Sequence, residues 1–477
     1  MNSFIGRERE LNTLNNLYHT PGFQMAVIYG RRRVGKSTLI TEFLKAKRAI
    51  YYVATKVSTE KNRSLFAHEA LQELDPDNGN ISFPSLEDLL LFIDSRLPEE
   101  KIILVIDELP YWAENDESIL SVFQKVIDTR WNQKNLFLIL CGSSLSFMQG
   151  KVLSEKSPLF GRRTAQIHLE AFPYADAAAF VPNYTPEEQA ICYGITGGIA
   201  KYLSLLDDSL SLDENIISLF FDSAGYLYEE PRNLLSQEFH DVTAMNNILG
   251  QVASGENTLN LISGKLNEKE PVVLYSLNKL LATGLVGKRI CITEENNRKK
   301  SQYILKDHMF RFWYSYIPKA EAAIALGRGD VYYERIVKPD LHNFMGPVFE
   351  EMCRFFTLSE GLSGNLNEFI SQVGVWWGNE IITENGSKKS IPFDIDVVGL
   401  SPQTHKMVIG ECKFKTVKTD KSVYDTLVRR GNALSKKYEI CQYLLFSLSG
   451  FTDWYKDNIS RNYVRLYTLE DLLGNAD

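Results

Sequence analysis

Short apolar runs alternate with amphipathic segments in the first third of the chain. Residues 24–30 (QMAVIYG), 102–107 (IILVID) and 136–142 (LFLILCG) are continuous apolar runs. Such runs are typical of strands that are buried on both faces of a parallel sheet. Helical periodicity marks residues 85–97 and 118–131. The alternation of strands and helices predicts a three-layer α/β domain.

The pattern then changes along the chain and predicts four parts. The α/β core covers residues 1–172 and is followed by a helical lid at 173–235. Residues 236–335 contain three short helical patterns and two extended stretches around the polar loop EENNRKK, which predicts a winged-helix domain. Residues 336–477 begin with a helical pattern and continue with the extended stretches FDIDVVGL and KMVIGECKF, which predicts a second α/β domain.

Composition narrows the class of protein. The chain has 477 residues, of which 44% are hydrophobic and 23% are charged, as expected for several globular domains. Its net charge of −8 argues against a uniformly basic, DNA-coating surface but leaves room for a local basic groove. The six cysteines form no C-x-x-C pair, which indicates reduced thiols and no zinc site. Without a signal peptide or an apolar run of ~18 residues, we expect a cytoplasmic protein with no membrane partner.

The first apolar strand runs directly into a phosphate-binding motif, G-x-x-x-x-G-K-[ST]. Its glycines let backbone N–H groups surround a β-phosphate, Lys36 reaches the β- and γ-phosphates, and Ser37 can bind Mg²⁺. A mere turn would rarely fall between an apolar strand and an amphipathic helix, although the three arginines could simply be solvated. The predicted nucleotide-binding residues of this loop are Gly30, Arg31, Arg32, Arg33, Val34, Gly35, Lys36, Ser37 and Thr38.

Acidic residues end the second apolar strand. Asp107 can hold Mg²⁺ and Glu108 can activate the attacking water, although a solvated strand end is the alternative. Ser143, after the third strand, could contact the γ-phosphate or the water, or could cap the next turn. Arg162 and Arg163 could stabilise transition-state charge, from the same chain or from a neighbouring subunit of a homo-oligomer. An arginine pair is equally often a surface feature.

Six segments, in order, resemble the archaeal-type ATPases of the AAA+/STAND group: FIGREREL, GRRRVGKSTL, ILVIDELPYW, CGSSLSFM, PLFGRRT and YGITGGIAKYL. The resemblance covers about residues 1–235 and implies that ATP is the bound nucleotide. It also implies that Phe4, Ile5, Gly6 and Arg7 lie near the base. The TGG segment of such proteins lies in the lid and often continues with proline, whereas this chain has Ile199 there.

A second constellation lies near the C-terminus. Asp396 ends FDID, and Glu411 and Lys413 follow on another apolar strand. Residues two apart on a strand share one face, so two carboxylates could hold Mg²⁺ while the lysine orients or deprotonates water. This D-x(n)-E-x-K layout is that of the PD-(D/E)xK nucleases, but the pattern is loose.

Further segments around this constellation carry a resemblance of their own. GPVFEEM, VGVWWGNE, IDVVG and IGECKF resemble the uncharacterised C-terminal domain that is often fused to these ATPases and is similar to restriction-endonuclease folds. The resemblance covers about residues 340–470 and implies that Glu350 is a further acidic metal ligand. Active cleavage stays open, since such domains can lose activity while keeping their strands.

Evidence for a DNA partner is local. Residues 411–440 contain eight Lys or Arg against four Asp or Glu. These basic side chains could contact phosphates, or they could lie on a solvated helix face. Trp376 and Trp377 could stack on a base, although a core anchor is the alternative. The predicted recognition helix, 271–285, has Lys279 as its only basic residue, whereas the predicted wing has basic residues at 298–300.

Three functions are compatible with these patterns. The first is a Mg²⁺-dependent ATPase that controls a nuclease-like, DNA-processing domain. The second is a nucleotide switch that regulates a protein partner without cleaving DNA. The third is a transcriptional regulator that uses the winged helix, for which salt-sensitive, sequence-preferring DNA binding is required.

Overall fold

The computed structural model describes residues 4–78, 81–293, 301–384, 387–434, 438–460 and 462–474. The chain divides into two compact units. The first consists of Met1–Phe172 with Ile199–Lys201, and the second of Pro173–Gly198 with Tyr202–Asp477. In the described part of the chain, no helix is long and apolar enough to cross a membrane.

The first unit is built on a five-stranded sheet in the order β2-β3-β4-β1-β5, whose pairings are parallel. Its strands are β1 (Gln24–Tyr29), β2 (Ala49–Val53), β3 (Ile102–Asp107), β4 (Leu136–Gly142) and β5 (Ala165–His168). Its helices are α1 (Glu8–His19), α2 (Lys36–Leu44), α3 (Thr59–Leu74), α4 (Leu86–Arg96), α5 (Pro110–Ala113), α6 (Ser118–Thr129) and α7 (Leu145–Phe147). Every residue of β1, β3 and β4 is buried, which confirms the predicted parallel-sheet α/β fold.

The strand order positions the chemistry of this unit. Because β4 lies between β1 and β3, the residues that follow β4 lie between the loop after β1 and the acidic end of β3. Parallel strands bring their carboxyl ends to one edge of the sheet, which is where open α/β sheets bind ligands. The loop after β1, Asp107 and Ser143 therefore share this edge.

The second unit contains helices, a short hairpin and a larger mixed sheet. Its strands are β6 (Val286–Arg289), β7 (Gln302–Leu305), β8 (Gln372–Glu384), β9 (Ser387–Ser401), β10 (Lys406–Lys413), β11 (Glu439–Ser447) and β12 (Val464–Tyr467). The helices from residue 174 onward are α8 (Tyr174–Ala178), α9 (Pro186–Thr196), α10 (Ala200–Leu203), α11 (Leu212–Phe220), α12 (Glu230–Glu238), α13 (Val242–Ala253), α14 (Leu259–Leu266), α15 (Glu270–Ala282), α16 (His308–Ala325), α17 (Gly329–Tyr332), α18 (Leu341–Leu362), α19 (Lys421–Leu434), α20 (Trp454–Asn458) and α21 (Leu469–Leu473); α10 begins within the segment assigned to the first unit.

The hairpin of β6 and β7 follows three helices, and the chain leaves it to join the larger sheet. β6 and β7 pair antiparallel, but Cys291 bridges to Val375 of β8 and the Ile292 N–H donates to the Val375 carbonyl at 3.0 Å. Ile292 packs in the hydrophobic core of the C-terminal sheet. The extended stretch after β6 thus ends on the C-terminal domain. The predicted basic wing residues Arg298, Lys299 and Lys300 lie outside the described residues.

The C-terminal sheet has the order β12-β11-β10-β9-β8. β9 pairs antiparallel with β8 and β10, whereas β10–β11 and β11–β12 are parallel, and α18 packs on β8, β9 and β10. The Trp376 ring lies 5.1 Å from the Phe393 ring and packs against the core of this sheet. Of the two predicted roles for this tryptophan, the packing favours the core anchor.

Candidate functional site

The phosphate-binding loop depends on two glycines that no other residue could replace without strain. A Cβ on Gly30 would lie 2.2 Å from the Leu169 carbonyl oxygen, so the turn after β1 has no room for a side chain. Gly35 caps α2 with φ +97°, a conformation that glycine adopts readily. The Arg33 carbonyl accepts from the Lys201 N–H at 3.1 Å, which fixes the middle of the loop.

Lys36 is a buried cation whose side chain is held by backbone carbonyl groups. Its side chain is among the buried charged groups, and Nζ donates to the carbonyl oxygens of Gly30 and Arg31, both at 3.0 Å. Among the residues that the structure describes, no carboxylate lies within ion-pair distance of it. A buried ammonium without an anion is unfavourable, so the site fits a negatively charged phosphate.

Ser37 and Asp107 bring a hydroxyl and a carboxylate together beside the phosphate-binding loop. Ser37 Oγ donates to Asp107 Oδ2 at 2.8 Å, and the Tyr51 hydroxyl donates to the same oxygen at 2.9 Å. A hydroxyl beside a carboxylate is a donor set that suits Mg²⁺. Burial and the charge of Asp107 raise the pKa of Tyr51, so this phenol stays a hydrogen-bond donor. Sequence reasoning missed Tyr51, because only the pairing of β2 with β3 brings it to Asp107.

Glu108 is held in a strained and oriented position. Its backbone has φ +49°, which is uncommon for a non-glycine residue and is often found at functional sites. Ser143 Oγ donates to Glu108 Oε2 at 2.7 Å, and the Ser143 N–H lies 3.3 Å from the same oxygen. An oriented carboxylate at this edge can accept a proton from water. Ser143 thus contacts the predicted base.

The GREREL segment is tied to the phosphate-binding loop. Gly6 and Arg7 both have positive φ, +63° and +68°. The Arg7 guanidinium donates to the Val34 carbonyl at 3.3 Å and to the Glu170 carbonyl at 2.6 Å, and it lies 4.0 Å from the Phe172 ring centre. The segment is therefore anchored beside the loop, where the resemblance places the base.

The remaining predicted nucleotide residues lie around the same loop. Phe4 and Ile5 are half-buried, and Thr38 is exposed on α2. Arg32 donates to the Tyr111 hydroxyl at 2.8 Å, so at least this loop arginine is held by the protein.

The structure does not bring Arg162 and Arg163 to the phosphate-binding loop of the same chain. Arg162 forms two hydrogen bonds with Asp128, at 2.7 and 2.6 Å, in the last turn of α6. Thr164, the next residue after the pair, bonds to Met25 at the amino end of β1. The pair therefore lies at the amino edge of the sheet, a strand length of roughly 20 Å from the carboxyl edge. The expectation of a role within one chain is corrected, and the role from a neighbouring subunit stays a prediction.

The second constellation brings two buried carboxylates onto adjacent strands. Glu411 Oε1 accepts from Lys413 Nζ at 2.7 Å, and Asp396 Oδ2 accepts from the Cys412 N–H at 2.8 Å. Burial and the charges of Glu411 and Glu350 raise the pKa of Asp396 well above its usual value. Burial lowers the pKa of Lys413, but Glu411 and Asp396 outweigh that effect and raise it overall.

Two arginines lie beside these carboxylates: Arg354, which was not predicted, and Arg430, which was predicted only as one of the eight basic residues of 411–440. Arg354, one turn after Glu350 on α18, lies 3.4 Å from that carboxylate and donates to the Asp396 carbonyl at 2.8 Å. Arg430 of α19 lies 3.7 Å from Glu411 Oε2. Arg354 comes from α18, which is distant from β10 in sequence, whereas Arg430 comes from α19, which follows β10 along the chain.

The predicted metal ligands Glu350, Asp396 and Glu411 lie near enough for the charges of Glu350 and Glu411 to act on Asp396. Across the ranges that the structure describes, no group of three or more His, Cys, Asp or Glu side chains is arranged to hold a metal ion. Glu350 is paired with Arg354, whereas Asp396 and Glu411 remain neighbours. A metal-binding role for Glu350, Asp396 and Glu411 stays a prediction.

Two families of known proteins match separate parts of the chain. Residues 4–206 match the ATPase domain predominantly from Archaea, and residues 313–423 match a domain of archaeal and bacterial proteins of unknown function. An uncharacterised protein of Methanocaldococcus jannaschii is 30% identical over 433 residues, which are 90% of this chain and 91% of that protein.

Two solved structures match parts of this chain at low sequence identity. A Walker-type ATPase of Pyrococcus abyssi is 19% identical, and the match covers 65% of this chain and 96% of that one with a TM-score of 0.49. The ORC2 protein of Aeropyrum pernix is 15% identical, and the match covers 68% of this chain and 98% of that one with a TM-score of 0.43.

Proposed function

The chain belongs to the family of archaeal-type ATPases that carry a C-terminal domain of unknown function, and on this premise we propose that it is a Mg²⁺-dependent ATP hydrolase coupled to a nuclease-like, DNA-processing domain. One observation carries the ATPase half. Ser37–Asp107 and Ser143–Glu108 form two hydrogen-bonded pairs at one edge of the sheet, beside the buried cation Lys36.

Each residue of this edge has a role in hydrolysis. Lys36 exchanges its two carbonyl acceptors for the β- and γ-phosphates of ATP, and backbone N–H groups of the loop complete the cradle. Ser37 and Asp107 hold Mg²⁺, which when bound neutralises phosphate charge. Glu108 accepts the proton of the attacking water, and Ser143 keeps the carboxylate of Glu108 oriented. ATP hydrolysis in Mg²⁺ that stops in EDTA and in the Lys36→Ala variant is the expected result.

For the C-terminal half, the carboxylate pair carries the proposal. Asp396 and Glu411 lie on the antiparallel strands β9 and β10 with Lys413 beside them, an arrangement that suits Mg²⁺-assisted attack on a phosphodiester. The domain at 336–477 is thus a PD-(D/E)xK nuclease-like domain, and 236–335 is a winged-helix domain. Exposed lysines at 415, 418 and 421 supply positive charge for DNA phosphates; residues 436 and 437 lie outside the described ranges.

A cleavage assay tests this half separately from the ATPase. Plasmid and single-stranded DNA are incubated with Mg²⁺, with and without ATP, and nicking is followed on gels. Wild type is expected to nick DNA, whereas Asp396→Ala and Lys413→Ala should not, at an unchanged ATPase rate. If wild type hydrolyses ATP normally but does not cleave DNA, the proposed nuclease activity is ruled out and the proposed ATPase activity is not.

One feature favours the alternative, a nucleotide switch that regulates a protein partner. The exposed face of α15 is apolar, with Val272, Leu274 and Tyr275 all exposed, and Lys279 lies over the Tyr275 ring at 4.4 Å. Such a face suits a protein surface better than the polar edges of DNA bases. Turnover below roughly one per minute, far under typical kcat values, with ADP retained after purification favours the switch. Fast, DNA-stimulated turnover contradicts it.

A further inference from the structure

Glu411 has one firm and one loose cationic neighbour. Lys413 Nζ donates to Oε1 at 2.7 Å. Arg430 lies 3.7 Å from the other oxygen, Oε2, which is too far for a hydrogen bond. Oε2 is buried and has no hydrogen-bond partner among the described residues. Glu411 as a whole residue is 7% exposed. Arg430 therefore neutralises Glu411 without bonding to it.

The Arg430 guanidinium uses few of its donors. Its NH1 group donates to the Asp394 carbonyl at 3.1 Å, and the guanidinium lies 5.5 Å from the Phe393 ring centre. Its Nε is buried and lacks a hydrogen-bond partner within the part of the chain that is described. A guanidinium has five N–H donors in a planar fork that matches phosphate. Arg430 thus retains the capacity to bind an anion.

Arg354 differs from Arg430 in how firmly it is held. Arg354 donates to the Asp396 carbonyl and pairs with Glu350, so moving it would break two contacts to its own domain. Among the described residues, moving Arg430 would break one hydrogen bond at 3.1 Å, one ion pair at 3.7 Å and the contact with the Phe393 ring, which are longer contacts than those of Arg354. A divalent cation on Asp396 and Glu411 would be repelled by the positive charge of Arg430 in its present place. A phosphate offers Arg430 a charge-assisted alternative.

We propose that Arg430 is a displaceable counterion of Glu411, which moves onto a DNA phosphate and so frees Asp396 and Glu411 to bind a divalent cation. The inference rests on the proposed nuclease-like function and defines its order of assembly. DNA and metal bind cooperatively, and each raises the affinity for the other by the same factor. The site holds metal tightly only when DNA is present.

Binding of Mn²⁺, followed by its electron paramagnetic resonance signal, tests this without cleavage. The full chain, free of nucleotide, is titrated with Mn²⁺ with and without a phosphorothioate duplex, and Glu411→Gln gives the binding at other sites. In wild type the duplex should raise Mn²⁺ affinity at least ~fivefold, the lower end of typical couplings. Arg430→Gln should bind Mn²⁺ at least ~fivefold more tightly than wild type without DNA and gain little from DNA. Arg429→Gln, which removes the same charge from the exposed neighbouring residue, should behave as wild type.

The outcomes separate this proposal from the function beneath it. If Arg430→Gln does not fold, Arg430→Lys keeps the charge but loses the fork, so it should bind Mn²⁺ as wild type does without DNA and gain less with DNA. Equal Mn²⁺ affinity of wild type and Arg430→Gln, while DNA still raises the affinity of wild type, overturns the counterion role only. Absence of any Glu411-dependent Mn²⁺ binding, with or without DNA, overturns the nuclease-like function and this proposal together.

Discussion

Ser143→Ala isolates the orientation of the proposed general base from nucleotide binding. Ser143 Oγ donates to Glu108 Oε2 at 2.7 Å, and hydrogen bonds to charged groups contribute about 1.5–3 kcal/mol. Since each 1.36 kcal/mol in the barrier is a factor of ten in rate, kcat should fall about 10- to 150-fold. The Ser143 N–H still faces Glu108 at 3.3 Å, so the loss should stay below that of removing the carboxylate.

The assay is steady-state ATP hydrolysis with kcat and KM determined separately. KM for ATP should be unchanged, because the substitution leaves the phosphate-binding loop intact. If Ser143 instead contacted the γ-phosphate, KM would rise as well. Ser144→Ala is the matched control, since among the described residues its hydroxyl is hydrogen-bonded only to Ser146, at 3.4 Å, and it should keep wild-type kcat. An unchanged kcat in Ser143→Ala, or an equal loss in both variants, refutes the orienting role.

Three further predictions follow from contacts in the two sites. Tyr51→Phe removes one hydrogen-bond donor to Asp107 and should lower kcat for ATP hydrolysis about tenfold. The rate is measured over a titration of Mg²⁺, and a wild-type rate would show that this donor is dispensable. Burial raises the pKa of Asp396 above the ordinary value of 3.8, so the folded state binds this proton more tightly than the unfolded state does. The free energy of unfolding of wild type in EDTA, relative to that of Asp396→Asn, should therefore fall as the pH rises above 3.8. Urea unfolding of both proteins at several pH values measures this difference, and a difference that does not change with pH contradicts the prediction. Inactive Lys36→Ala chains mixed with inactive Arg162→Ala chains should regain ATPase activity, if a neighbouring subunit supplies the arginine; no recovery counts against that role.

The sequence pattern was sufficient for the three central strands of the first sheet. The runs at 24–30, 102–107 and 136–142 coincide with β1, β3 and β4, because continuous apolar residues are stable only where both faces of a strand are covered. β2 and β5 were missed. Their burial is only partial, so their apolar signal is weak. The order of the strands, which places Ser143 beside Glu108, is a tertiary property that no local pattern encodes.

The C-terminal cluster shows the same limit more strongly. Asp396, Glu411 and Lys413 could be predicted because they lie on two consecutive strands. The contacts that Arg354 and Arg430 make beside these carboxylates could not be predicted, since each arginine lies on a helix whose packing decides the contact. Likewise, the apolar stretch after β6 was predicted as part of a hairpin, but Ile292 is buried in the C-terminal core, and its partner strand lies about 80 residues later.

The central claim is that this edge of the first unit binds and hydrolyses ATP with Glu108 as the base. The most direct measurement compares ATP binding, by fluorescence titration, with ATP hydrolysis in wild type, Lys36→Ala and Glu108→Gln. We expect Lys36→Ala to lose ATP binding. We expect Glu108→Gln to bind ATP as wild type does but to hydrolyse it at least ~100-fold more slowly, because general-base catalysis is lost. Normal hydrolysis by Glu108→Gln would contradict the account.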